Sequence, residues 1–361
     1  MKPLRPHRFF ASLQADLGAR AFDGTPTGRG RALDSAAGGS GLAFLQSQLE
    51  YVDTDIVEPL QAVTHPRDIW VDNSGSGFPQ WISAFAINYA TTGTQNTGLQ
   101  GTQNTEIALA QADLQKGFWP TNIWASGFFI GWLDLQRLQT AKKSGLPPPI
   151  SLQDMYEQSV ETKWVKDLDR VTYLGWNGYP GLVNNSNAFE TVAPAGAGGS
   201  TLWTKKSPQE ILNDINNMQN SIVEQSGYDI AEAMPDSLLI PYTQFAALSQ
   251  PMAIGGSPVA VSIISYVEKE CVAAKNGVNF KINSLPNPWI SGQGSGGLDR
   301  AVFYKNSKKS LYLDIPQQKV LALTVPTNLG TLGPGYSSSF FGCISNVIFK
   351  RTLTMGYLDG I

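Results

Sequence analysis

Trp81-Ile82-Ser83-Ala84-Phe85-Ala86-Ile87-Asn88-Tyr89 alternates strictly, with Trp81, Ser83, Phe85, Ile87 and Tyr89 on one side of an extended chain and Ile82, Ala84 and Ala86 on the other. A period of two is the signature of a β-strand. Beyond this run the pentad Gly93-Thr94-Gln95-Asn96-Thr97 recurs as Gly101-Thr102-Gln103-Asn104-Thr105, and Phe118-Trp119-Pro120-Thr121-Asn122-Ile123-Trp124 reads as a returning strand. The duplication is too short for a solenoid, whose period is about 20–50 residues. The pattern therefore predicts a long two-stranded arm over residues 72–127 with a polar tip. That tip has no apolar set able to bury itself. A lone hairpin is marginally stable in water, so this one needs a surface to lie on.

Upstream, Leu42, Leu45, Leu49, Val52, Ile56 and Leu60 recur every three or four residues, which predicts an amphipathic helix over 42–62. Residues 1–41 are Gly-rich and lack periodicity, apart from a short helical tendency at Arg8–Arg20; alone they should be flexible or extended. Downstream, Ser151-Leu152-Gln153-Asp154 opens the clearest helix, with Ser as N-cap and Asp at N3. Leu152, Tyr156, Val160, Trp164, Leu168 and Val171 form its apolar stripe, and the helix should run 151–172, about 33 Å. Pro147-Pro148-Pro149 keeps the preceding chain out of helix.

Ser207-Pro208-Gln209-Glu210 is a second start, a capping box with Pro at N1, followed by the stripe Ile211, Ile215, Met218 and Ile222 and a stop at Gly227. A buried-type strand is expected at Ser237–Pro241, a helix from Ser257-Pro258 to Asn276-Gly277, and strands at 278–285, 300–305, 311–315 and 340–354.

Composition narrows the class. With 361 residues the usual size range gives two or three domains. Charged residues make up only 15%, which suggests that much of the surface meets protein rather than water. The net charge of −3 is too small to make nucleic acid the main partner, though it divides into +3 on residues 1–41 and −6 on the remainder. Cys271 and Cys343 sit in apolar runs and read as buried free thiols of a reducing compartment. The leader lacks the apolar core of a secretory signal, and no run approaches the 18 or so apolar residues of a membrane span. An intracellular site of synthesis is expected.

Catalytic chemistry is hard to place. The two histidines are His7, in the leader, and His65, before Pro66 in an expected surface loop. No His/Cys/Asp/Glu cluster has metal-ligand spacing, so neither a metal nor a cofactor is expected. Gly292-Gln293-Gly294-Ser295-Gly296-Gly297 matches G-x-G-x-x-G in letters, but the residues after it, Leu298 to Tyr304, read as a strand. Without a helix N-terminus for the pyrophosphate, a flexible loop is the better reading. Glu157/Glu161 and Asp53/Asp55/Glu58 share helix faces with bases such as Lys163, Lys166 and Arg170. That is a solvated charged face rather than a glycosidase pair held across a cleft. Trp70, Trp81, Trp119, Trp124 and Trp132 have few cations among them, which favours packing on protein over stacking on bases.

In this order the elements resemble the tailed-bacteriophage major capsid proteins of the Hong Kong 97-like fold. Leu174-Gly175-Trp176-Asn177-Gly178-Tyr179-Pro180-Gly181-Leu182-Val183-Asn184 is similar to the G…G…GLLN segment that often follows the family's spine helix, and Asp359-Gly360-Ile361 to its terminal D-G-I. The resemblance implies an α+β fold with an N-terminal arm (1–41), the first helix and strand of the peripheral (P) domain (42–71) and a β-hairpin E-loop (72–127). It further implies a P domain with spine helix 151–172 (128–204), an α/β axial (A) domain (205–330) and a returning P-domain strand (331–361).

The function implied is that of a non-enzymatic head-shell subunit forming hexamers and pentamers around double-stranded DNA. Its partners would be copies of itself, portal, scaffold or decoration proteins, and DNA at the inner surface. It would be assembled in the host bacterial cytoplasm and end in the virion. Interface side chains are expected at Arg29, Arg31, Trp81, Phe85, Thr94, Asn104, Trp119 and Trp124. Some members join subunits by a Lys–Asn isopeptide bond; Lys116 is the only lysine in 72–127 and Asn346 a conceivable partner, but no local glutamate would clearly assist, so that chemistry is not carried over. Two rivals make different predictions. An encapsulin-like nanocompartment would hold protein cargo instead of DNA, and a β-rich carbohydrate-active enzyme or binding module would be a small species forming no shell.

Overall fold

The computed structural model describes residues 63–92, 109–143, 152–254, 257–328 and 334–361. The leader with Arg29 and Arg31, the helix expected over 42–62, the duplicated pentads with Thr94 and Asn104, and the N-cap Ser151 lie outside the described residues.

The expected hairpin is present. Strand Trp81–Thr92 pairs antiparallel with Leu109–Gly131 in unbroken register, from Trp81 opposite Pro120 to Thr92 opposite Leu109. The return strand is much longer than the sequence suggested. Its second half, from Thr121 to Gly131, pairs on its other side with Pro334–Ser345, which pairs in turn with Gln317–Asn328. The hairpin is thus the extension of a four-stranded antiparallel sheet.

Helix Leu152–Leu174 crosses one face of that sheet. Val160, Trp164, Leu168 and Val171 are buried as their spacing required. Trp164 meets Trp124 edge to face, with ring centroids 4.9 Å apart. Gly342 lies beneath the Trp164 ring, where a Cβ would come within 2.6 Å of it. Tyr156 differs from expectation: it is 36% exposed and stacks on Phe128 at 5.3 Å. It sits one turn before Val160, the first buried residue of the stripe, and so gains contact on one side only.

A five-stranded sheet follows in the order Phe189–Val192, Met355–Asp359, Arg300–Tyr304, Ser237–Pro241, Lys281–Leu285. Both faces are covered, so Ser237–Pro241 is buried throughout rather than alternating with solvent. Leu239, Val302, Tyr304 and Tyr357 face the core under the long helix. Leu238, Ile240, Ala301 and Phe303 face a second core beneath helix Pro208–Gln225. That helix starts with the expected capping box: Glu210 N–H donates to Ser207 Oγ at 3.3 Å and Ser207 N–H to Glu210 Oε2 at 2.7 Å. Ile211, Ile215, Met218 and Ile222 are buried.

Four expectations need correction. Residues 257–276 are not one helix: Ser257–Ser262 is a strand paired with Pro251–Ile254, and helix Ile263–Glu270 starts at Ser262, whose Oγ accepts the Ser265 N–H. Extended backbone at Cys271 (φ −67°, ψ 159°) then ends it before the short helix Val272–Lys275. The 331–361 stretch is not one returning strand. Pro334–Ser345 joins the hairpin sheet, Ile348–Phe349 pairs with Leu311–Asp314, and Met355–Asp359 enters the five-stranded sheet, because its side chains are divided between the two cores. His65 is not a surface loop residue; it begins a short helix, His65–Asp68, and is buried. The Gly292–Gly297 stretch is an ordered turn rather than a flexible loop, because it wraps the Asp359 carboxylate, which accepts the Ser295 N–H.

Candidate assembly surface

On the hairpin, Trp81, Phe85 and Phe118 are 56%, 63% and 59% exposed. The register places Trp81 opposite Pro120, Ser83 opposite Phe118 and Phe85 opposite Lys116, so these aromatics share one face. The Lys116 ammonium lies over it, 5.4 Å from the Phe85 ring centroid and 5.0 Å from that of Phe118. The hairpin thus presents an open aromatic face with a cation stacked on two of its rings. Trp119 is half-buried on the other face, opposite Ile82.

Trp124, grouped with these residues from the sequence, is 9% exposed and packs within its own subunit. Its indole N–H donates to Asp167 at 2.8 Å and its ring meets Trp164. Position along the strand explains the difference: the two share a face, but Trp124 falls where the long helix covers the sheet, and Phe118 lies further out along the hairpin.

On the opposite side of the sheet is a bay of about 610 Å³ lined by Phe78, Ile123, Gln317, Val320 and Phe341. Ile123 is 68% exposed, and Phe78, Val320 and Phe341 are exposed as well. This surface depends on strand Gln317–Asn328, which the sequence analysis does not include; the continuous apolar run Val320-Leu321-Ala322-Leu323, followed by Thr324-Val325, is the available signal.

The two short motifs prove to be joints between the layers. Gly175 (φ +73°) ends the long helix, and a Cβ on Gly181 would lie 2.4 Å from the Tyr173 carbonyl. Asn184 locks the turn, accepting the Gly181 N–H at 2.7 Å and donating to Leu174 O at 3.0 Å. Leu182 and Val183 then enter the core. At the other motif, Asp359 accepts Arg300 Nε at 2.7 Å and Nη2 at 2.9 Å, and the Ser295 N–H at 2.7 Å. The glycine-rich turn therefore wraps a carboxylate of its own chain, and a Cβ on Gly294 would come within 2.9 Å of Asp359. Gly360 takes φ +80°, which lets Ile361 fold into the second core.

The other residues weighed for chemistry have local roles. His65 Nδ1 lies 2.5 Å from Asp169 Oδ1, and Asp169 also accepts the His65 N–H. Tyr173 Oη donates to Asp68 at 2.8 Å, and Arg67 bridges Asp68 and Ser284 O. This buried network ties the chain before the hairpin to the long helix and to the second sheet. Cys271 and Cys343 are buried and free, and burial pushes both thiols up. Glu161 pairs with Lys319, and Lys163 donates to Ser126. Asn346 is buried in its own subunit, where its Oδ1 accepts the Trp176 N–H. Among the described residues no group of three or more His, Cys, Asp or Glu could hold a metal ion, and no helix is long and apolar enough to cross a membrane.

With two sheets, a crossing helix and an outreaching hairpin established, comparison with known proteins identifies the class. Residues 96–361 match the family model for the major capsid protein. Solved structures agree in fold. The capsid of the myovirus phage XM1 is similar with a TM-score of 0.66 at 13% identity, over 87% of this chain and 98% of that one. Microbacterium phage Oxtober96 gives 0.58 at 10% identity, over 88% and 98%. The capsid of a native GTA particle gives 0.57 at 10%, over 91% and 99%. No curated protein sequence matches. The chain belongs to the major capsid protein family and has the Hong Kong 97-like fold. It is a phage head-shell protein, and neither the nanocompartment nor the carbohydrate reading is favoured.

Proposed function

We propose that the chain builds a closed icosahedral head of hexamers and pentamers around the double-stranded DNA of a tailed phage, working through interface free energy and without catalysis. The observation that carries this reading is the hairpin, which leaves Trp81, Phe85 and Phe118 exposed beyond the core of its own subunit. Many modest contacts repeated around a closed lattice hold a container that no single one could hold. In this reading residues 72–127 are the E-loop, 128–204 the P domain and 205–330 the A domain. Arg29, Arg31, Thr94, Asn104 and Trp119 join Trp81 and Phe85 at contacts between subunits, whereas Trp124 serves its own core. The basic leader orders against a neighbouring subunit, with DNA as its secondary partner. Assembly takes place in the host cytoplasm, with portal, scaffold or decoration proteins as further partners.

Deleting residues 92–105 tests this. The variant should remain folded and soluble yet assemble poorly. A deletion that unfolds the body would make the segment part of the core and overturn the reading.

A further inference from the structure

The chain contains two Asn-Gly pairs, Asn177-Gly178 and Asn276-Gly277, and the fold treats them oppositely. Glycine has no side chain to shield its own backbone nitrogen, so that nitrogen can approach the amide carbon of an asparagine before it. At the second pair both reacting groups are engaged. Gly277 N–H donates to Ala274 O at 3.0 Å, and the Asn276 side-chain amide donates to Val272 O at 2.9 Å, so the end of helix Val272–Lys275 holds nucleophile and electrophile in place. At the first pair, Asn177 (φ +55°) and Gly178 (φ +80°) are the central residues of a type I′ turn, closed by Tyr179 N–H donating to Trp176 O at 3.1 Å. Both are exposed, and a Cβ on Gly178 would meet nothing within 4 Å. Neither the Gly178 N–H nor the Asn177 side chain has a hydrogen-bond partner among the described residues.

We propose that Asn177 is a site of spontaneous deamidation, a modification that places a carboxylate on the turn between the long helix and the core. The Gly178 nitrogen loses its proton to water or hydroxide and attacks Asn177 Cγ. A new N–C bond closes a succinimide ring, the Cγ–Nδ2 bond breaks, and the side-chain nitrogen leaves as ammonia. Water then opens the ring at either carbonyl, giving aspartate or isoaspartate; no oxidant or reductant takes part. The backbone rotation that brings the nitrogen onto Cγ disrupts only the hydrogen bond closing an exposed turn, whereas at Asn276 it must first break both bonds named above. The new charge arises next to Trp176, on whose ring Arg170 stacks at 5.4 Å. Isoaspartate also lengthens the backbone, in a joint where Gly175 and Gly181 already lie too close to backbone atoms for a Cβ.

Timed incubation of the full-length protein at mildly alkaline pH in heavy-oxygen water, then digestion at acid pH and peptide mass spectrometry, tests this. A thermal melt checks that the chain stays folded throughout. The peptide holding Asn177 should convert at least about tenfold faster than the one holding Asn276, since a hydrogen bond that must break first slows a step by about that factor. Its products should be aspartate and isoaspartate together, each carrying the oxygen label. In urea, where neither turn persists, the two rates should come together. Equal rates in the folded chain, faster conversion at Asn276, or a rate ratio that persists in urea would overturn the proposal. So would an unchanged Asn177 over a period in which the urea-treated chain converts. Aspartate without isoaspartate would mean direct hydrolysis in place of the ring, and would overturn it too.

Discussion

Arg300 and Asp359 stand directly opposite each other on adjacent antiparallel strands, both buried, with two parallel hydrogen bonds of 2.7 and 2.9 Å between guanidinium and carboxylate. The guanidinium also donates to Val183 O at 2.9 Å, pairs with Glu190 at 2.9 Å, and lies 4.2 Å from the Tyr357 ring centroid. One side chain therefore fastens the turn after the long helix to the five-stranded sheet. Removing a single partner from a buried pair leaves an uncompensated charge and costs about 3–5 kcal/mol, whereas replacing both with apolar residues is often near neutral. Asp359→Ala should lose that amount in urea unfolding of the subunit, and Arg300→Met with Asp359→Leu should lose much less.

The same site predicts the acid limb of stability. Burial pushes the Asp359 carboxyl up, but the Arg300 guanidinium and the Ser295 N–H outweigh it and hold it below the usual carboxylate range. Its contribution is complete above the unfolded value, about 3.9 for Asp, and is lost as pH falls through the lower folded value. Glu190 has the opposite sign: a shared hydrogen bond with Asp359, then burial, raise it, so its contribution is present at low pH and lost as pH rises through its folded value. Asp359→Asn should flatten the acid side of a stability–pH curve, and an unchanged acid limb would contradict this.

Trp164 is the largest side chain joining the long helix to the hairpin sheet. Trp164→Ala should cost about 3–5 kcal/mol, as large aromatic truncations in cores do. Gly342→Ala should also destabilise, by about 1–3 kcal/mol, because its Cβ would come 2.6 Å from the Trp164 ring. Denaturant titration of both checks this; a loss below about 1 kcal/mol for Trp164→Ala would place the stripe against solvent or a weak contact.

The glycines after the helix should rank by space rather than by conservation of type. A Cβ on Gly178 meets nothing within 4 Å, so Gly178→Ala should cost only the strain of its φ of +80°, about 1–2 kcal/mol. Gly175→Ala and Gly181→Ala should cost more, since their Cβ atoms would lie 2.0 and 2.4 Å from backbone atoms. Thermal melts of the three variants give the order directly.

How much was legible follows from how local each signal was. The hairpin strand, the long helix and the capping-box helix rest on period and caps within one segment, and all three are where the pattern put them. The helix expected at 257–276 failed because strand pairing with Pro251–Ile254 outweighed the Ser-Pro start. Gln317–Asn328 and the second half of the return strand draw their definition from partners far away in the chain, which a local window does not contain. The exposed aromatics at Trp81 and Phe85 are legible as candidates, but Trp124, which shares their face, separates from them only through the covering helix, whose reach along the sheet a local window does not contain. Arg300–Asp359 and His65–Asp169 were invisible for the same reason: partners 59 and 104 residues apart meet only when the layers stack.

The central claim is that this chain closes into a shell by contacts between its own copies. Electron microscopy of the purified full-length protein, expressed without other phage proteins, tests it most directly. The account predicts closed shells, or free hexamers and pentamers on the way to them, whose subunits overlap through the hairpin. A field of monodisperse small particles under conditions where the subunit is folded would contradict it.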